Sequence, residues 1–553
     1  MPDSFFQSEK KRKRPSKASG SRLGPRGAAP PRKAADEDLS SESDAGSDGA
    51  GFHGRGDADL SDEELANQNE TAREKRLRLA KGYLAKVREE LAAEQAEGDY
   101  DAAEIDRELI ASRLQQDVAE VQGKIHTYLA SNLVEARTHF VSTPSHCPTS
   151  VAMSSSSVYI STKRGVIFRH PLPSLKREGH PFGHSRGDGG HEGEILCLAA
   201  SEDGKWLLSG GVDKTVGVWN VEDGEPKCVV GIKGHKDAVT SVVIPPLNNP
   251  SYHFMSAALS RHLALGSLST LSTIDTFFGH QDCITSVSAI KPTVAVTAGS
   301  RDRTCRWWKV EEEVQLVFRG GGRTFEGVRG VVPDARKERL GGGWELEDDS
   351  VEQRRQAAQR DKKGKGREFV EGSIDCVCMV DDQHFVSGGD SGSISLWHNG
   401  KKKPIFTEPL AHGIDESVDS GGPRWITSLA HLRGTDLFAS GSWDGSIRLW
   451  RLDRNLRHFT RASRDTIPVP GFVNALQILS LPSASVVSGQ WAVVDSSFPT
   501  EQIAADIKGD KQILLVAAIG QEPRLGRWMR SRDGVKNGLL AVHIRSSGDQ
   551  SSS

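Results

Sequence analysis

The chain runs to 553 residues with a net charge of −3 and seven cysteines. That length suits two or three ordinary domains, or one large repeat domain with tails; the near balance of charge excludes a chain that is basic throughout but leaves room for local basic stretches. The odd number of cysteines, set in apolar contexts such as Ile195-Leu196-Cys197-Leu198, excludes a fully paired disulfide framework and points to a reducing compartment. Cys376 and Cys378 fall on one face of a strand, but two ligands do not make a zinc site, and neither a metal nor a cofactor is expected. No apolar run reaches the ~18 residues of a membrane span. Met1-Pro2-Asp3-Ser4-Phe5-Phe6 lacks the basic start and apolar core of a secretory signal, so the expectation is a soluble intracellular protein.

Residues 1–60 are polar and rich in Gly, Ser, Ala and Pro, with too little apolar surface to offset the entropy of ordering, and are expected to be a disordered tail. Within it Lys10, Lys11, Arg12, Lys13 and Arg14 form a basic cluster that reads as a nuclear-import signal, with Arg32-Lys33 as a second half. The tract Asp36 to Asp44 is acidic and contains serines whose phosphorylation would add to its charge. Residues 61–133 are expected to be an amphipathic helical extension. Ser61-Asp62-Glu63-Glu64 is a capping box. Leu77, Ala80, Leu84, Val87 and Leu91 then make one helical stripe, flanked by the basic Arg73, Lys75, Arg76 and Arg78. After a break at Glu97-Gly98-Asp99, a second helix from about Asp101 to Ala130 carries its stripe on Ile110, Leu114, Val118, Val121, Ile125 and Tyr128.

Over 136–545 the composition turns to short strands separated by turns. Gly210 to Trp219, Gly299 to Trp308, Gly388 to Trp397 and Gly441 to Trp450 share one pattern: strand end, tight turn, second strand closed by tryptophan. Recurrence at about forty to fifty residues means one supersecondary unit stacked many times, and four-stranded units at that spacing are β-propeller blades. Weaker units are Val158-Tyr159-Ile160 with Val166-Ile167-Phe168, a decayed third unit from Ser256 to Gly266, and a last one from Ile513 to Ala518 whose closing strand is Leu525 to Trp528. The prediction is an all-β, seven-bladed propeller with insertions near 320–371 and 483–511 and a polar, disordered tail over 546–553. Either the strand Leu539 to Ile544 or the segment Thr138-His139-Phe140 supplies the outermost strand that joins the first and last blades.

These units resemble the WD-repeat (WD40) family. Gly234-His235, Gly279-His280, His191 and Ala411-His412 stand ahead of the first strands of several units. The resemblance implies a hydrogen-bonded brace in each blade, formed by His191, Ser209, Asp213 and Trp219 in the second unit and by His412, Ser440, Asp444 and Trp450 in the sixth. Such histidines are structural, and with no nucleophile–base–acid set and no phosphate-binding loop in the turns, an enzyme is not expected. The third unit departs from the pattern, with Ser260 at the turn Asp and Gly266 at the closing Trp.

Glu70 to Lys81, Arg113 to Val118, Gly279-His280-Gln281-Asp282, Gln315-Leu316-Val317-Phe318 and Gly520 to Trp528 carry a sharper resemblance, to the WD-repeat subunits of the U3 small nucleolar ribonucleoprotein. That resemblance implies a nuclear and nucleolar protein that binds the box B/C region of U3 RNA beside a kink-turn-binding protein, among other small-subunit processome proteins, in processing of pre-ribosomal RNA. Arg524 and Arg527 on the last hairpin, with Arg73, Lys75, Arg76 and Arg78 on the first helix, are the candidate RNA contacts, although Arg527 also has Glu522 within its own turn as a partner. The competing class is a protein-only adaptor in a nuclear complex, which makes no RNA contact. The sequence leaves open which propeller face meets a partner.

Overall fold

The computed structural model describes residues 113–143, 146–184, 190–222, 226–320, 323–325, 368–415, 422–481, 512–527, 529–530 and 534–546. The import cluster, the acidic tract, the first helix with Arg73, Lys75, Arg76 and Arg78, the bulk of both insertions and the final polar tail lie outside the described residues. The described residues form a seven-bladed β-propeller of four-stranded antiparallel sheets. Blades 1 to 6 begin with the strands Pro148–Met153, Ile195–Ala200, Val239–Val243, Ile284–Lys291, Ile374–Met379 and Ser428–His431, and each adds its next three strands in chain order. The first strands meet one another around a central channel. Because neighbouring strands run antiparallel, each blade's second-to-third turn and the connections between blades share one face of the disc, here the upper. The first-to-second and third-to-fourth turns share the lower face.

Blade 7 departs from the sequence reading. Its strands, from the channel outward, are Phe472–Leu481, Gln512–Gly520, Gly538–Ser546 and Leu133–Ser142. Both candidate closing segments are therefore used: Gly538–Ser546 is third, and Leu133–Ser142 pairs on its outer edge, with Thr138 opposite Val542 and Phe140 opposite Leu540. The first and last strands in chain order thus pair within one sheet, which closes the ring and leaves only the short outer edge of each blade. Gln512–Gly520 is buried along its whole length, as its unbroken apolar run requires. Leu525 to Trp528 is not a closing strand. Pro523 lacks the N–H that a ladder needs and Gly526 has a φ of +83°, so the chain leaves the sheet after Gly520; Trp528 lies outside the described residues.

The N-terminal extension also differs from a helix continued to Ala130. Its described helix covers 113–122 and stops at Gly123, whose φ is +71°. The Gly123 N–H reaches the Glu120 carbonyl and the Lys124 N–H reaches that of Ala119, which is a Schellman stop. Beyond it the chain crosses the lower face. Lys291 Nζ donates to the Gln122 carbonyl, His126 and Thr127 donate to the Gly434 carbonyl, and Asp436 Oδ1 accepts from Leu129 and Ala130 at 2.8 and 3.0 Å. Ile125 and Tyr128 therefore belong to an extended strap. Of the first insertion, the described ends Arg323–Phe325 and Glu368–Val370 pair as a two-stranded stem.

Blades pack face to face through apolar clusters. In blades 5 and 6 the closing Trp397 and Trp450 sit opposite Phe385 and Phe438 of the second strand and stack on them. Blade 3 solves the same problem differently. Phe254 lies opposite Gly266, and a Cβ at Gly266 would come within 2.3 Å of its ring, so the phenylalanine covers the space left by the missing tryptophan.

A ring of side-chain donors links each first strand to the next, near its upper end. Thr149 donates to the Ile195 carbonyl, Thr240 to Ile284, Thr285 to Ile374 and Thr427 to Val473. The Cys197 and Cys376 thiols stand 3.8 and 3.6 Å from the Val239 and Ile426 carbonyls. Asn474 Nδ2 completes the circuit on the Pro148 carbonyl at 2.7 Å and also reaches the Glu522 carbonyl at 3.0 Å. Asn474→Ala leaves those acceptors short of a donor at the seam and is expected to lower the unfolding free energy by about 1–3 kcal/mol. Urea denaturation measures this, and an unchanged midpoint would contradict the circuit's contribution.

Candidate nucleic-acid interface

The upper face is built on the blade brace. Trp450 Nε1 donates to Ser440 Oγ at 2.8 Å, His412 Nε2 meets the same oxygen at 2.8 Å, and His412 Nδ1 meets Asp444 Oδ2 at 2.8 Å. An indole N–H can only donate, so the serine accepts from it and gives its own proton to Nε2. The imidazole proton then sits on Nδ1 and faces the carboxylate. Burial holds the His412 pKa below its ordinary value against the pull of Asp444. Burial alone would raise the Asp444 carboxyl, but the bond from His412 and the neighbouring Ser446 donors bring it below the usual range. Blade 2 repeats the chain with Trp219, Ser209, His191 and Asp213, and blade 4 with Trp308, Thr297, His280 and Asp302. In all three blades the histidine has a partner on both nitrogens. The brace can therefore hold the upper loops rigid, and it has no spare group with which to do chemistry.

Residues 520–527 lie over the upper mouth of the channel and carry both arginines singled out in the sequence. The Lys163 ammonium holds this loop through the Gly526 carbonyl at 2.7 Å and the Glu522 carboxylate at 3.4 Å, and Arg530 reaches Glu522 at 3.5 Å. Arg524 turns inward. Its Nη1 and Nη2 donate to the Thr240 and Thr285 carbonyls, both at 3.1 Å, on the first strands of blades 3 and 4, across the channel from its own blade. Burial lowers its pKa from the ordinary value, while Cys197, Cys376 and Asp375 pull the other way. Arg527 stays outside with its side chain 69% exposed, and its partner is Glu194 of the blade 1–2 connection at 2.9 Å rather than Glu522. The structure thus separates two residues that the sequence placed together, giving one to the channel wall and one to the surface. No local pattern signals a contact from blade 7 to blades 3 and 4.

Among the described residues no cluster of His, Cys, Asp or Glu could hold a metal ion. Asp375, on the first strand of blade 5, accepts from Ser373 Oγ at 3.1 Å.

Residues 186–220, 271–309 and 417–451 match the family model described as WD domain, G-beta repeat. The three closing tryptophans inside these matches are those of the three complete braces, Trp219, Trp308 and Trp450. An uncharacterized WD repeat-containing protein of Schizosaccharomyces pombe is 34% identical to this chain, across 98% of it and 97% of the relative. Ribosomal RNA-processing protein 9 of Saccharomyces cerevisiae is 29% identical across 89% and 92% of the two chains, and U3 small nucleolar RNA-interacting protein 2 of Homo sapiens is 29% identical across 86% and 83%. The solved structures of U3-55K and of the RRP9 WD40 repeats are each 27% identical with a TM-score of 0.55, covering 73% and 74% of this chain and 98% of each of those.

Burial pushes the Asp375 carboxyl up to about 6, with the Asp390 charge adding to the rise and Ser373 and Arg524 opposing it. A carboxyl whose folded pKa lies above its unfolded one costs the fold stability as pH rises between the two. That cost is absent below about pH 4 and complete above about pH 6. Asp375→Asn removes the titration. Its melting temperature relative to wild type is expected to climb between about pH 4 and 6 and then to level off, whereas parallel curves would contradict the raised pKa.

Proposed function

Since the chain belongs to the WD-repeat family, in the group that holds Ribosomal RNA-processing protein 9 and U3 small nucleolar RNA-interacting protein 2, we propose that it is a non-catalytic scaffold of the U3 small nucleolar ribonucleoprotein. In this reading it binds the box B/C region of U3 RNA beside a kink-turn-binding protein, joins other small-subunit processome proteins, and acts in pre-ribosomal RNA processing in the nucleolus. The carrying observation is the extent of the likeness, which takes in nearly the whole chain of one relative and most of an RNA-interacting one. Lys10 to Arg14 would supply nuclear import.

Physically, such a scaffold reads RNA by shape and phosphate position more than by base sequence. Arg527 suits a phosphate. An exposed ion pair such as Arg527–Glu194 contributes about 0.2–1 kcal/mol, so exchanging Glu194 for phosphate costs little. Arg524 serves by pinning the loop that presents Arg527. The basic set Arg73, Lys75, Arg76 and Arg78 would add a second phosphate contact from the N-terminal extension.

Purification of the protein at high salt, followed by sequencing of the RNA that stays bound, tests the assignment. U3 RNA is the expected species, and its absence above background would overturn the ribonucleoprotein reading. Arg527→Glu is expected to weaken U3 binding several-fold, by about one phosphate contact, in a protein that melts normally. Unchanged affinity would remove Arg527 from the contact.

A further inference from the structure

Blade 3 keeps only part of the brace seen in blades 2, 4 and 6, and the loss has consequences at the upper face. His235 keeps its bond to Ser256 Oγ at 2.7 Å, but Ser260 stands where the turn carboxylate belongs and His235 Nδ1 has no partner. The turns of blades 2 and 4 read Val212-Asp213-Lys214 and Arg301-Asp302-Arg303, whereas that of blade 3 reads Leu259-Ser260-Arg261. The substitution strips the negative charge from this turn and leaves its cation. The His235 ring stacks on His262 with centroids 5.2 Å apart, and His262 packs on Phe278 at 5.6 Å. Phe278 ends the outermost strand of the blade and is 71% exposed, more than any other large apolar side chain among the described residues.

The cations around this aromatic row are uncommitted. Lys233, Lys236, Arg261, Arg301 and Arg319 all lie on upper-face strand ends or turns of blades 2 to 4, all are exposed, and none of their side chains makes a hydrogen bond or ion pair among the described residues. The nearby carboxylates are engaged. Asp237 and Asp282 each accept from the N–H of the next residue, and Asp302 belongs to the blade 4 brace. On the lower face Lys205, Lys291 and Arg433 are paired with Glu222, Asp382 and Glu202. Lys401, Lys402 and Lys403 are an unpaired run on that face, but no exposed large apolar side chain stands in their turn.

A row of cations needs only a polyanion, whereas a solvent-facing phenyl ring beside them fits a base that has left its stack. We propose that the upper face of blades 3 and 4 is a binding site for single-stranded RNA, with an unpaired base on Phe278 and the backbone held by Lys233, Lys236, Arg261, Arg301 and Arg319. This deepens the ribonucleoprotein reading and rests on it for the choice of RNA over other polyanions. The site accepts any base, because stacking depends on the ring face and not on edge hydrogen bonds.

The test compares full-length wild type with Phe278→Ala, with Lys236→Glu/Arg261→Glu, and with Lys401→Glu/Lys402→Glu/Lys403→Glu as a charge-matched control on the lower face. Each is titrated by fluorescence anisotropy against a fluorescent oligouridylate and against U3 RNA at several salt concentrations, after melting curves confirm the fold. Phe278→Ala is expected to weaken oligouridylate binding about 5- to 100-fold. The double reversal should weaken it further and flatten the salt dependence, while the control stays within about twofold of wild type. Equal affinities for wild type, Phe278→Ala and the double reversal would overturn this site, as would a control that loses as much as the double reversal. If U3 RNA still bound tightly in those cases, the ribonucleoprotein reading would stand without this site. Failure of wild type to bind either RNA would overturn both.

Discussion

Closure of the ring is the constraint on which the rest depends. Seven sheets packed face to face hold together only if the last meets the first, and here the join is made within blade 7, where Leu133–Ser142 runs along Gly538–Ser546. The circuit of donors around the channel crosses that join at Asn474, whose amide serves both the Pro148 carbonyl and the loop at Glu522. The seam and the channel cap are thus one assembly, and the two hydrogen bonds of Arg524 extend it to blades 3 and 4. A propeller closed in this way presents its upper loops at fixed separations, which is what a binding platform for an extended partner needs.

Within that frame the blades divide between bracing and display. Blades 2, 4 and 6 have complete sets of Trp, Ser or Thr, His and Asp, and their upper turns are tied by a carboxylate. In blade 3 Phe254 takes over the packing, and the turn no longer supplies an acceptor to His235. What looks like decay in a repeat leaves a neutral histidine, held down to about 4 chiefly by burial and then by His262, beneath an exposed phenylalanine and an unpaired arginine. The proposed recognition surface on blade 3 thus lies between two blades with complete braces.

The fold was legible wherever the brace imposed its own residues, because Trp219, Trp308 and Trp450 each need a fixed acceptor and the turn Asp needs its His. Blade 7 was harder to read. Its third strand ends in no tryptophan, and the segment Leu525 to Trp528 copies the closing pattern while Glu522, Arg524 and Arg527 beside and within it contact other blades. Pro523 and Gly526 were the available signs that the chain had left the sheet there. Gly123 likewise marked the end of the helix, but the apolar stripe running on through Ile125 and Tyr128 suits a half-buried strap as well as a helix. Of the candidate site, Arg527 was readable as an arginine beyond what a blade needs. Phe278 was not, since in Phe277-Phe278 one ring faces the core and the other faces water, and only the strand's register says which.

Amide hydrogen exchange of the full chain with and without U3 RNA reports directly which face of the propeller RNA meets. Slowed exchange is expected in the upper-face segments 233–238, 259–262, 278–283, 300–303 and 521–527, with the lower-face turn 399–405 unchanged. Protection confined to the lower face, with the upper turns exchanging as freely as in the isolated protein, would contradict an upper-face site.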